Sequence, residues 1–184
     1  MERLAIPVDE LTLRSYRAWR REWFLLTAGD YAAGEYNCMT TAWGAIGSMW
    51  DRPLAAVAVK PTRHTFAFLE RYPTFTLCHF PRSFQKKLLY LGSKSGRDLN
   101  KIADSGLTPI ASSRVAAPGY AEADLVLECE TVYSDDYKPE RFKREALRDS
   151  LRSERPHRIF FGEILAVFGT GDYLVPSRSS DAPG

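Results

Sequence analysis

Residues 36–50 read YNCMTTAWGAIGSMW, and the mixture within this run decides what kind of fold the chain can make. β-Branched, aromatic and small residues suit a strand, while Gly44 and Gly47 predict a bend that another group approaches closely. Asp51-Arg52-Pro53 ends the run, and residues 54–60, LAAVAVK, are a continuous apolar stretch of strand length. On the other side, WFLLT at 23–27 is short, apolar and aromatic, and the turn-prone Ala28-Gly29-Asp30 follows it. That predicts a strand and its exit, with Gly34 as a second break.

Outward from this centre the pattern stays strand-rich. Residues 61–73 place Phe66, Leu69 and Tyr72 at helical spacing, and residues 82–92 do the same with Phe84, Leu88 and Leu91 before Gly92, a predicted C-cap. Between them TFTLCHF at 74–80 alternates as a half-buried strand does. Residues 93–106 form a polar loop. In residues 121–133, Ala123, Leu125, Leu127 and Cys129 alternate with Asp124, Val126, Glu128 and Glu130, which predicts a strand with one wet face. The charged block at 134–157 predicts an exposed loop with a helical turn or two, HRIFFGEILAVFG at 157–169 another strand, and residues 176–184 a disordered tail. At least five strands, two or three short helices and no regular strand–helix alternation disfavour a doubly wound α/β fold. The pattern predicts a mainly β chain in a closed antiparallel barrel with short inserted helices, as one domain over 1–184 with the barrel at about 22–169.

Bulk properties narrow the function. The length of 184 residues suits one domain, and 45% hydrophobic with 26% charged residues is the composition of a globular protein. A net charge of +2 gives no stripe for nucleic acid and no patch for an anionic membrane. Cys38, Cys78 and Cys129 form no Cys-x-x-Cys pair, so neither a zinc site nor a dithiol motif is expected. The N-terminus breaks every apolar run with charge, and no run nears the roughly 20 residues that span a bilayer. A soluble cytoplasmic protein without membrane or nucleic-acid partners is the expectation.

Five motifs occur in a fixed order: YNCMTTAWG, KPTRHT after a strand, SGRDLNKI, EADLVLECETVY and HRIFFGEI. Together they resemble the flavin reductase-like, FMN-binding split-barrel family, including its flavoredoxin-type members, over roughly residues 23–168. The resemblance implies a six-stranded Greek-key split barrel, a homodimer, and FMN near the subunit interface. It implies hydride transfer from NADH or NADPH to N5 of FMN, with electrons passing on to a flavin, a metal complex, a protein partner or oxygen. An electron carrier reduced by another protein, and a non-redox FMN-binding module, are the alternatives.

The residues supply what such a cofactor needs. Arg63 and Thr65 stand at the start of the predicted helix, where a guanidinium, a hydroxyl and free backbone N–H groups suit a phosphate. By resemblance Ser93, Lys94, Ser95 and Lys101 contact the phosphate or ring edge, from the same or the neighbouring subunit. Asn37, Cys38, Met39, Thr40 and Thr41 match the stretch that addresses the pyrimidine side of the ring, with Trp43 beside it; Cys38 itself is read as a small buried residue without redox role. His157 matches a histidine near the flavin or nicotinamide and is the one catalytic candidate. His64 is expected to point away from the site, and His79, Glu122 and Glu163 to be structural. Two departures from the family pattern are the N-terminal segment, which lacks a proline-rich approach, and Asn100, where an acidic residue is frequent.

Overall fold

The computed structural model describes residues 2–152 and 156–175. One antiparallel sheet carries the fold. Its strands are β1 (Leu4–Ala5), β2 (Phe24–Asp30), β3 (Glu35–Thr41), β4 (Gly44–Met49), β5 (Arg52–Val59), β6 (Thr74–His79), β9 (Leu125–Asp136) and β10 (Arg158–Gly169). They pair in the order β3-β2-β6-β9-β10-β5-β4, with β1 added against β10; a separate ribbon joins β7 (Pro109–Ile110) to β8 (Gly119–Tyr120). The helices are short: α1 (Ser15–Arg17), α2 (His64–Arg71), α3 (Gln85–Ser93), α4 (Lys101–Ser105) and α5 (Glu145–Arg152).

The expected closed six-stranded barrel is corrected here. The sheet is an open path of seven strands plus β1, and its two edges, β3 and β4, share no ladder among the described residues. The physical reason lies in the run 36–50, read above as one bent strand. Thr41 still pairs with Phe24 of β2, yet Gly44 already pairs with Val57 of β5, so Ala42 and Trp43 carry the backbone from one partner to the other. Ala58 N–H donates to the Trp43 carbonyl at 3.0 Å, fixing the crossing. Gly44 must be glycine there, because a Cβ would collide with the Ala56 carbonyl and the Trp19 ring.

Strand alternation sends residues to two cores. Phe24, Leu26, Val57, Phe75, Leu77, Leu125, Leu127 and Phe160 fill the inside of the sheet, while Leu25, Cys38, Cys78, Leu88, Leu91, Tyr120 and Val126 pack an outer layer beneath α3 and α4. This second layer removes the wet face expected of β9: Leu125 to Cys129 are all buried. Even Glu128 is only 2% exposed. Its carboxylate accepts from Ser113 N–H at 2.9 Å, Ser113 Oγ at 3.1 Å and Arg114 N–H at 2.6 Å, so the buried charge is hydrogen-bonded by the loop before β8. The predicted C-cap at Gly92 is also displaced. α3 runs through Gly92 to Ser93, and Lys94 in extended conformation closes it; the glycine instead lets the helix sit on Thr40, whose Cβ would be 3.2 Å from an added side chain.

Three histidine and glutamate readings hold. His79 Nδ1 lies 2.9 Å from Asp124 Oδ1 and 2.8 Å from the Tyr173 hydroxyl, with Glu22 3.3 Å from Nε2, so one ring ties the approach to β2 to the turn after β10. Glu163 pairs with Arg52 at 2.8 Å, and Glu122 accepts the Thr108 N–H. The segment 176–184, expected to be disordered, lies outside the described residues.

Burial pushes the thiols of Cys38 to about 11 and Cys78 to about 12, and raises Cys129 as well. Iodoacetamide at pH 8 is therefore expected to leave all three unmodified in the native protein and to alkylate all three after denaturation, as read by intact mass. Rapid native labelling of Cys38 would contradict its place in the outer core.

Candidate functional site

The site grows from two local devices. β5 ends at Val59, and the chain turns through residues 60–63 into α2, with Arg63 as an extended N-cap whose carbonyl receives Phe66 N–H at 3.0 Å. Thr65 and Leu69 face inward on the helix, and Tyr72 leaves it in extended conformation ahead of Pro73. On the opposite wall the loop 94–100 joins α3 to α4, which Asn100 caps by accepting Ala103 N–H.

Between these walls and the floor of β3 lies a cleft of about 210 Å³. Asn37, Met39, Thr40, Arg63, Thr65, Ser93, Lys94, Ser95 and Lys101, all expected from sequence as site residues, line it. Asn37 Nδ2 donates to Thr65 Oγ1 at 2.7 Å, which leaves the threonine O–H free to donate elsewhere. Gly96 presses directly on Asn37: an added Cβ would collide with Oδ1 and stand 3.2 Å from His64 Cδ2. Arg63 is exposed at the mouth, and its side chain makes no capping bond.

Lys101 differs from its expectation in one respect. It is 4% exposed, and its Nζ donates to the carbonyls of Leu91 at 2.9 Å and Lys94 at 3.1 Å, closing the C-terminal end of α3. The ammonium has a third proton to offer the cleft. Burial lowers its pKa below the ordinary lysine value, against which the neighbouring Cys38 works.

Other expectations divide. The Cys38 side chain is fully buried in the outer core, as its reading as a small buried residue expects, so only its backbone can reach the cleft. His64, expected to point away, lines the cleft; burial, then Arg97 and Lys101, lower its pKa below the ordinary histidine value. Thr41 accepts Trp43 N–H at 3.4 Å. Trp43 and His157 lie outside the cleft, stacked on each other at 4.5 Å and 28°. Arg97 and Thr62 were missed: the Arg97 guanidinium donates to the Thr62 carbonyl at 3.1 Å and bridges the two walls. Only the arginine carried a signal, as the cation within SGRD. No group of three or more His, Cys, Asp or Glu among the described residues is arranged to hold a metal ion, and no helix is long and apolar enough to cross a membrane.

The family model of the flavin reductase-like domain matches residues 17–176. The chain belongs to the flavin reductase-like family. An uncharacterized protein of Pyrococcus abyssi is 26% identical over 143 residues, covering 78% of this chain and 70% of that one. Two solved structures share the fold. An FMN-binding domain of a flavin reductases-like enzyme from Shewanella baltica superposes with a TM-score of 0.66 at 18% identity, over 91% of this chain and 77% of that chain. Flavoredoxin from Methanosarcina acetivorans gives 0.65 at 22% identity, over 95% and 79%.

Proposed function

We propose that this flavin reductase-like chain binds FMN and acts as an NAD(P)H-dependent oxidoreductase, delivering electrons to a flavin or another acceptor. The observation that carries the reading is the meeting of Arg63, Thr65, the Ser95-Gly96 turn and Lys101 around one cleft beside Asn37. These are donors of the kind a phosphate takes: a fork-shaped guanidinium, a hydroxyl relieved of its accepting duty by Asn37, and an ammonium held rigidly by two carbonyls. Gly96, without a side chain, lets the 94–100 loop pack directly on Asn37 and His64 and so sets the position of this wall of the cleft.

The cleft's 210 Å³ is below the roughly 300 to 1,000 Å³ typical of cofactor sites, so it takes the phosphate end alone. The ring then lies along β3 toward Thr41 and the Trp43–His157 stack, where the stack offers an aromatic face and an imidazole. Trp43 is 54% exposed, as are Met49 at 44% and Trp50 at 59%, all at the sheet edge. A second copy of the chain over this edge would bury these exposed apolar side chains beside the ring, which supports a homodimer. Bound FMN supplies the hydride and electron chemistry. The protein's part is to anchor the phosphate, to hold the ring against β3, and to leave its outer face open to the donor nucleotide.

Purified protein is expected to be yellow, with close to one FMN per subunit, and anaerobic mixing with NADH or NADPH is expected to bleach the flavin band rapidly. Arg63→Ala is expected to weaken FMN binding by about 10- to 150-fold, the loss of about 1.5–3 kcal/mol for a charged hydrogen bond, without moving the melting temperature. Colourless protein that takes up no added FMN would defeat the reading. FMN that is bound but bleached by neither nicotinamide would leave an electron carrier in its place.

A further inference from the structure

The segment between β9 and β10 builds a hollow that shares no residue with the phosphate cleft. β9 ends at Asp136, and Pro139 opens a single 3-10 turn, Pro139–Arg141, at the position where its missing N–H costs nothing. Arg141 N–H donates to the Lys138 carbonyl at 2.9 Å and Phe142 N–H to the Pro139 carbonyl at 3.2 Å, which fixes where both residues leave the turn. With Tyr133 and Asp135 of β9 and Ile159 of β10 they line a pocket of about 350 Å³. That is near the lower end of the roughly 300 to 1,000 Å³ usual for small-molecule sites, so its ligand is small.

The walls are mostly apolar. Tyr137 and Phe142 meet edge to face at 6.0 Å and 73°, and Tyr133 and Ile159 complete a lining made for a flat ring. The charges around it are matched, with one exception. Lys138 pairs with Asp135 at 3.1 Å, and Arg158 holds Asp136 through two nitrogens at 2.7 and 3.1 Å, so neither carboxylate is left to draw a cation. The exposed Arg141 guanidinium has no ionic or hydrogen-bond partner among the described residues. The Tyr137 hydroxyl has no hydrogen-bond partner among them either, and burial raises its pKa, so it stays protonated and able to donate. A fork-shaped cation and a hydroxyl donor on an apolar pocket are what a carboxylate carried by a ring would meet.

The pocket adjoins the Trp43–His157 stack. Tyr137 N–H donates to the His157 carbonyl at 2.9 Å, and Ile159 lies two residues further along the strand, about 7 Å away. We propose that this pocket binds a small aromatic carboxylate, with its ring among Tyr133, Tyr137, Phe142 and Ile159 and its anionic group on Arg141. The site stands without the FMN reading, although it lies beside the place which that reading gives the flavin ring.

Calorimetric titration of the full-length protein with benzoate tests this, first flavin-free and then with saturating FMN. One benzoate per chain is expected in both states. Benzamide keeps the shape without the charge, and acetate keeps the charge without the ring; each is expected to bind at least about 10-fold more weakly. Arg141→Ala is expected to weaken benzoate by about 10- to 150-fold, the loss of one charged hydrogen bond, and to leave the melting temperature unmoved, because the side chain is exposed and unpaired among the described residues. No benzoate binding, equal binding of benzoate and benzamide, or benzoate binding unchanged by Arg141→Ala would overturn the assignment. Displacement of benzoate by FMN would seat the carboxylate in the phosphate cleft and overturn it too. Protein that takes up no FMN, yet binds benzoate and loses it in Arg141→Ala, would remove the FMN reading and leave this one in place.

Discussion

Gly96→Ala is expected to cost about 100-fold in flavin affinity, roughly 3 kcal/mol, while the sheet remains folded. The glycine backbone is not strained; the cause is contact. A methyl group at this position would run into Asn37 Oδ1, with Asn37 Cγ at 3.0 Å and His64 at 3.2 Å. Asn37 is 5% exposed and its amide is held by Thr65 at 2.7 Å, so it has no open direction in which to retreat. Either that bond breaks or the loop 94–100 lifts from β3, and both spread the phosphate donors. Titration with FMN reads the loss, and melting curves should fall by only a few degrees. Adding Asn37→Ala removes the obstructing group. In a double-mutant cycle the pair should therefore couple by 1 kcal/mol or more, on the order of the larger values for contacting residues. Independent effects would mean that the loop does not rest on Asn37.

Lys101→Met is expected to have the largest effect on stability, a loss of about 2–4 kcal/mol and hence a melting temperature lower by about 4–16 °C. The side chain keeps its volume, but the carbonyls of Leu91 and Lys94 lose a charged donor in a buried place. Flavin binding should weaken with it, since the end of α3 and the loop beyond it are one wall of the cleft. A pH series separates this role from simple contact with the anion. Burial lowers the lysine pKa in the folded chain, so as pH rises the folded state releases the proton first while the unfolded chain still holds it. Wild-type stability therefore gains across the interval from that lowered value up to the ordinary 10.5, and Lys101→Met lacks this gain. Unchanged melting with weakened binding would assign the lysine to the anion alone.

The strands were legible where apolar residues ran together, at 23–27, 54–60 and 157–169, although β2 continues through Ala28-Gly29-Asp30, which reads as a turn, and β5 already starts at Arg52, which reads as a strand end. Alternation misled at β9, since Glu128 reads as solvent-facing unless one knows that residues 113 and 114 return to bind it. The break at Ala42-Trp43 was equally hidden. It is a change of hydrogen-bonding partner, and the sequence is as strand-like across it as on either side. At the site, Arg63 and Thr65 were readable because a helix start has its own chemistry, and the SGRDLNKI loop because its residue types are unusual together. That Lys101 turns back to cap α3, and that His64 faces the cleft, depend on how two loops meet, which no local pattern records.

Two residues join the edges of this sheet where a barrel would have a ladder. Among the described residues β4 forms a ladder with β5 alone, and its side chains are almost all exposed. Such an edge is a template for adding strands from other molecules, the first step toward aggregation. A lone subunit should therefore be difficult to keep in solution at high concentration, and a layer that covers Gly44–Met49 protects the chain from its own copies as much as it completes any pocket.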